Sequence, residues 1–152
     1  MEEQVTERMI IRGSPEDCYR ALTDFEQYPQ WAADIKSVLV DERDEQGRAA
    51  QVTFRAAAFG RSTSYSLRYD YGSAPDELSW VQVQGDLTRR LDGSYQLLPS
   101  GEGSTEILYH LVVDLRVPLP GFVKRRAEGR IMGTALRELK AWVERPTSPQ
   151  PG

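Results

Sequence analysis

Apolar and polar side chains alternate along much of this chain, and the places where the alternation stops divide it into elements. In the stretch 105–117, Ile107, Tyr109, Leu111, Val113 and Leu115 share one parity, while Glu106, His110 and Asp114 share the other. The stretch 87–98 repeats the pattern with Leu91, Gly93, Tyr95 and Leu97, and 62–71 repeats it with Thr63, Tyr65, Leu67, Tyr69 and Tyr71. A period of two belongs to an extended strand, whose successive side chains point to opposite faces. One apolar and one wet face mark an antiparallel sheet covered on one side only. The stretches 35–43, 48–58 and 77–84 are also extended, and turn-forming residues separate all six: DEQG, Gly60, GSAPDE, Gly85 with Asp86, and PSGEGS. Short turns between successive strands predict an antiparallel meander.

Residues 5–12, apolar at Val5, Met9, Ile10 and Ile11, predict one more strand at the N-terminus. A helix start follows it. Ser14 suits the N-cap, Pro15 the first helical position, and Glu16 and Asp17 put negative charge where the helix dipole favours it. This helix is expected to end near Thr23 and to bury Cys18, Ala21 and Leu22. The aromatic stretch FEQYPQW, Phe25 to Trp31, reads as a short second helix or a structured loop. At the other end, Pro118 and Pro120 stop the sheet, and 119–144 predicts one long amphipathic helix. Its stripe runs through Val123, Ala127, Ile131, Ala135, Leu136, Leu139, Trp142 and Val143. Gly129 and Gly133 inside it suggest close approach of the sheet or of a ligand, because glycine weakens a helix.

Composition narrows the picture. A chain of 152 residues, 39% hydrophobic and 28% charged, fits one globular domain, here 1–145, followed by a proline-rich tail, 146–152, expected to be disordered. A net charge of −4 argues against a nucleic-acid binder, whose phosphate contacts need clustered cations. The acidic start MEEQVTER is unlike a signal peptide and no apolar run is long enough to span a bilayer, so a cytoplasmic protein is expected. Cys18 is the only cysteine, which excludes an internal disulfide and a cysteine-built zinc site and suits a buried structural thiol.

Four stretches carry a family resemblance: SPEDCYRALTDFEQYPQWAADIKSV, RYDY, GDLTRRLDGSYQLLP and VPLPGFVKRRAEGRIMGTALRELK. With the order strand, two short helices, meander, long C-terminal helix, the chain resembles the START-like (SRPBCC) superfamily, in its branch of polyketide cyclases or dehydrases and coenzyme Q-binding proteins. The resemblance implies an α+β helix-grip fold, a seven-stranded curved antiparallel sheet wrapped around the last helix, with a cavity between them for a mostly apolar, often ring-bearing ligand. Members of the superfamily include carriers, cyclases and hormone- or quinone-binding proteins, so the fold does not choose among them.

Strand parity and the resemblance together nominate the ligand-contacting residues. Tyr65, Tyr69, Trp80, Leu91, Tyr95, Tyr109 and Leu111 face inward, with Val38 and Phe54 beside them, Ile131 and Ala135 on the helix, and Phe25 and Trp31 covering one end. A pocket needs such bulk plus a few polar tips. Catalysis has less support: His110 lies on the solvent face, no metal motif exists, and no inward carboxylate stands out. Donors for an enolate oxygen are limited to Tyr65, Tyr95 and Tyr109, with Arg55, Arg68 or Arg89 at the rim. No catalytic residue, metal or cofactor is therefore assigned. The expected partner is a hydrophobic small molecule, a lipid, isoprenoid quinone or polyketide-like ring compound, carried or sensed. The alternatives are an aromatase/cyclase acting on a poly-β-keto chain and a membrane- or protein-docking accessory domain. For docking, Phe122, Lys124, Arg125 and Arg126 would touch a bilayer surface transiently. The number of subunits is left open.

Overall fold

The computed structural model describes residues 3–58, 60–116 and 120–146, apart from the side chain of Phe122. The expected tail lies almost wholly outside these residues, as do the predicted strand end at Val117 and helix start at Leu119. Strand β1 (Glu3–Arg12) leads into helix α1 (Pro15–Thr23), a 3-10 turn (Phe25–Gln27) and the short helix α2 (Tyr28–Trp31). Six strands follow, β2 (Ile35–Arg43), β3 (Ala49–Ala58), β4 (Arg61–Asp70), β5 (Glu77–Gly85), β6 (Thr88–Pro99) and β7 (Ser104–Leu115), then helix α3 (Gly121–Val143). All seven strands form one sheet in the order β1-β7-β6-β5-β4-β3-β2, and every pairing is antiparallel. The meander is the one expected from the alternation, and with α3 it makes the helix-grip architecture that the resemblance implies. Register shifts in the β2–β3, β4–β5 and β6–β7 pairs bend the strands, as bulges do.

The helical segment between β1 and β2 forms for local reasons. Ser14 Oγ accepts a hydrogen bond from the Asp17 amide at 3.0 Å, Pro15 opens the first turn, and Cys18, Ala21 and Leu22 are buried. Burial pushes the Cys18 thiol above its ordinary value, as expected of a structural cysteine. FEQYPQW is helical, and the Tyr28 hydroxyl ties it to α1 by donating to the Leu22 carbonyl at 2.5 Å.

Helix α3 departs from its predicted face. Glu128, Met132, Leu136 and Leu139 are its buried side chains, whereas Ile131, central to the expected stripe, is 46% exposed. Leu136 and Leu139 belong to the expected stripe, so the buried line keeps that side of it and adds Glu128 and Met132, while the side through Ile131 is left open. The cause is where α3 lies: it packs chiefly on β1, with α1 and α2 beside it, along one edge of the sheet. Its flank through Ala127, Ile131 and Ala135 faces the unfilled concavity instead.

The two ends of α3 are held differently. Toward the C-terminus, Glu144 accepts from the Arg12 amide at 2.8 Å and pairs with Lys140, and Glu138 accepts from the Ala33 amide at 3.0 Å. Toward the N-terminus, Pro120 supplies no side-chain cap and the first turn has no acidic residue. There the described polar ties are Arg125 to Glu3 at 3.7 Å and Lys124 Nζ to the Leu115 carbonyl at 3.4 Å.

Glycine has a packing reason at Gly93 but not in α3. A Cβ on Gly93 would fall 2.5 Å from the His110 carbonyl oxygen and 2.7 Å from Trp80 Cζ2, so the indole lies over bare backbone. At Gly129 a Cβ would meet Glu7 Oε1 at an ordinary 3.6 Å, and at Gly133 only the mobile end of Arg137 at 3.3 Å. The close approach of the sheet expected at these two positions is absent.

Candidate functional site: a groove between the sheet and the last helix

The concave face of the sheet carries a continuous run of aromatic rings. Successive inward positions on neighbouring strands lie side by side, so side chains of equal parity meet across the sheet. The centroids of Phe54 and Tyr65 are 5.4 Å apart, Tyr69 and Trp80 5.9 Å, Trp80 and Tyr95 5.1 Å, and Tyr95 and Tyr109 4.5 Å. Tyr28 extends the run to α2, 4.8 Å from Trp31 and 5.7 Å from Phe54. One helix placed at the sheet edge cannot cover all of this, and the uncovered part is a groove with two lobes.

The inner lobe, about 140 Å³, is walled by Trp31, Phe54, Tyr65, Tyr69, Trp80, Tyr95 and Tyr109, with Ala135 and Glu138 of α3. The outer lobe, about 530 Å³, is bounded by Ala56–Ala58, Thr63, Leu87, Thr88, Val113 and Leu115, with Ala127, Glu128 and Arg130 of α3. Asp34, Ile35, Tyr65, Leu91, Tyr109, Leu111 and Ile131 border both. Of the nominated residues, Trp31, Phe54, Tyr65, Tyr69, Trp80, Leu91, Tyr95, Tyr109, Leu111, Ile131 and Ala135 line the groove. Phe25 and Val38 do not. Phe25 is 2% exposed and sits behind the wall, 4.5 Å from the Tyr69 ring, while Val38 is half-buried against the core.

Burial sets the protonation of the groove. Tyr65, Tyr69 and Tyr95 are pushed well above the usual phenol range by desolvation, and Tyr109 is pushed up to about 12 by the same cause. These hydroxyls stay protonated at neutral pH, so they serve as hydrogen-bond donors and acceptors rather than bases. The indole N–H of Trp31 is buried without a hydrogen-bond partner among the described residues.

Sequence reasoning missed one group. Glu128 is an inward carboxylate, 4% exposed, and neither of its oxygens has a hydrogen-bond partner among the described residues. Desolvation first, then the nearby Glu3 carboxylate, raise it from 4.5 to about 7, against the opposing pull of Lys124 and Arg125. The signal was available in the spacing of 128, 132, 136 and 139, which is as helical as the stripe through 127, 131 and 135. Leu136 and Leu139 of that line belong to the expected stripe, and Glu128 and Met132 extend it toward the N-terminus.

The arginines expected at the rim are elsewhere. Arg68 pairs with Glu42 at 2.7 Å, Arg89 with Asp114 at 3.6 Å, and Arg55 is exposed beside Ser62, so none of the three lines the groove; Arg130 does. His110 shares a hydrogen bond with Thr6 at 2.8 Å, where β1 and β7 pair, away from the groove. Arg125 and Arg126 are exposed and Lys124 is half-buried; the side chain of Phe122 lies outside the described residues. No helix among the described residues is long and apolar enough to cross a membrane, and no cluster of three His, Cys, Asp or Glu side chains there could hold a metal ion.

Over residues 11–140 the sequence matches the family of polyketide cyclase / dehydrase and lipid transport proteins. The chain belongs to that family. No match was found among curated proteins. Among solved structures, a START superfamily protein from Mycobacterium smegmatis is similar at 26% identity, with a TM-score of 0.89 over 95% of this chain and 99% of that one. The Zhui aromatase/cyclase from Streptomyces sp. R1128 shares the fold at 12% identity and a TM-score of 0.81, covering 95% of each chain. A protein from Thermus thermophilus shares it at 22% identity and a TM-score of 0.78, over 96% of this chain and 100% of that one. These structures share their fold with this chain.

Proposed function

We propose that this chain binds a largely apolar, ring-bearing small molecule in the groove between the sheet and α3, as a carrier or sensor. The observation that carries this reading is the aromatic wall of Tyr65, Tyr69, Trp80, Tyr95 and Tyr109 opening into a lobe of about 530 Å³. That volume lies in the range of ligand pockets, and the wall combines apolar bulk with phenol hydroxyls that orient a polar substituent. A core without a ligand role has no use for so large a space, since interiors otherwise pack to crystal density. The family's description as lipid transport and cyclase proteins supports the same class of ligand.

Native mass spectrometry of the protein as purified, followed by solvent extraction, tests this. A discrete co-purifying lipid, quinone or ring compound is the expected result. A protein that is empty and shows no shift in melting temperature across a broad panel of apolar ligands would overturn it.

A second reading is favoured by Glu128. A carboxyl that titrates near pH 7 can give or take a proton at neutral pH, the property an aromatase/cyclase acting on a poly-β-ketone needs, and one of the similar structures is named an aromatase/cyclase. Turnover of a poly-β-ketone to a ring-closed product, lost in Glu128→Gln, is the outcome that would replace carriage with catalysis.

A further inference from the structure

We infer that Glu128 makes the groove selective for an uncharged ligand bearing a carbonyl oxygen, which its carboxylic acid O–H binds, and against the carboxylate analogue of the same molecule. This rests on the ligand-binding reading above and names the class of ligand.

Two independent observations support it. The first is the orphaned side chain. Glu128 is buried in the wall of the outer lobe with both oxygens unpartnered among the described residues, although leaving such a group unsatisfied is costly. A ligand oxygen in that lobe supplies the missing partner. The second is the charge of the lining. Asp34, Glu128 and Glu138 contribute carboxylates to the groove, and Arg130, exposed at the mouth where water screens it, is the one cation among the described lining residues. An anionic head would sit against like charge.

The groups around Glu128 decide its state. From β1, Glu3 opposes its ionisation, and Glu7 lies on the same face, opposite Gly129. From α3 itself, Lys124 and Arg125 favour ionisation but are drawn off, Lys124 toward the Leu115 carbonyl of β7 and Arg125 toward Glu3. Desolvation outweighs them, leaving the carboxyl about half protonated near pH 7. Protonated, it donates to a carbonyl; ionised, it cannot.

Four ligands on one aromatic body separate the possibilities by calorimetry: 2-ethylnaphthalene, 2-acetonaphthone, 2-naphthoate and 2-(aminoethyl)naphthalene. At pH 6 the ketone is expected to bind at least about 10-fold more tightly than the hydrocarbon or the carboxylate, the gain from satisfying a buried donor. Its affinity is expected to fall about 10-fold between pH 6 and pH 8, as the competent protonated fraction falls. Glu128→Gln, which keeps an N–H donor, retains the preference for the ketone at both pH values. Glu128→Leu still binds ethylnaphthalene but loses the preference, which shows that it folds. Equal affinity for ketone and hydrocarbon, tighter binding of the carboxylate or the amine, or an unchanged pH dependence in Glu128→Gln would each overturn the inference. If the hydrocarbon itself fails to bind the wild-type protein, the ligand-binding reading falls and takes this one with it.

Discussion

Replacing Glu128 with Gln should make the protein more stable, by an amount that grows as the pH rises from about 4.5 to about 7 and then levels off. The glutamate carboxyl titrates near 4.5 when free and near 7 in the fold, where it lies buried beside Glu3. As the pH rises, the unfolded chain gives up this proton first, so the native state becomes progressively disfavoured from about pH 4.5 to about pH 7 and stays so above. The interval of about 2.5 pH units corresponds to about 3 kcal/mol, an upper figure on the order of a quarter to a half of a typical domain's stability. Gln has nearly the same shape and is neutral throughout, so below pH 5 it should match the protonated acid within about 0.5 kcal/mol. Urea denaturation of both proteins from pH 4.5 to 8.5 measures this, and the difference between them cancels every other titrating group. The expected difference is near zero at the acid end and grows to about 2–3 kcal/mol in favour of Glu128→Gln by pH 8. A difference that stays flat across this range would show that the carboxyl is solvated or paired, and would remove the basis for assigning it a special role.

Two glycine substitutions should move stability in opposite directions. Gly93→Ala forces a methyl group against the His110 carbonyl and the Trp80 ring, so a loss of about 1–3 kcal/mol and a shifted tryptophan emission spectrum are expected; unchanged thermal unfolding would mean that the indole does not lie over Gly93. Gly133→Ala meets only the flexible end of Arg137, and relieving the helix of a glycine should add about 0.5–1 kcal/mol, a rise of about 1–4 °C in Tm. A lower Tm there would point to a contact in the groove that requires glycine. A third expectation concerns α3 as a whole. Its uncapped start, with Lys124, Arg125 and Arg126 near the positive end of the dipole, should exchange amide hydrogens faster than the half anchored by Leu136, Leu139 and Glu144. Uniform protection along the helix would refute this.

The sheet was legible because a period of two is hard to produce by accident over ten residues. Tyr65, Tyr69, Tyr95 and Tyr109 could be placed on one face from parity alone, and the groove wall follows from their being neighbours. The helix was less so. A stripe of small and medium apolar residues at 127, 131 and 135 and a second line at 128, 132, 136 and 139 differ by one residue, and which of them is buried depends on where the helix docks. That is decided by β1 and the two short helices, far away in sequence. Glu128 was missed for the same reason: its spacing from Met132, Leu136 and Leu139 puts it on the buried line, but that line is buried only because the helix docks on β1. The outer lobe was missed in part because Ala56–Ala58 stand on its sheet side beside the larger Leu87, Val113 and Leu115, and alanines give almost no hydrophobic signal of their own.

Those alanines separate two properties that most cores bind together. Ala56 and Ala58 have the inward parity of β3 at the rim of the outer lobe, where space is left by the absence of side chains rather than by any particular contact. The groups that anchor α3, from Met132 and Leu136 to Glu144, lie along the other edge of the sheet. A larger residue at either rim position narrows the lobe without disturbing that anchorage. Descendants of this sequence can therefore change the size of what they accommodate one methyl group at a time, with each intermediate still folded.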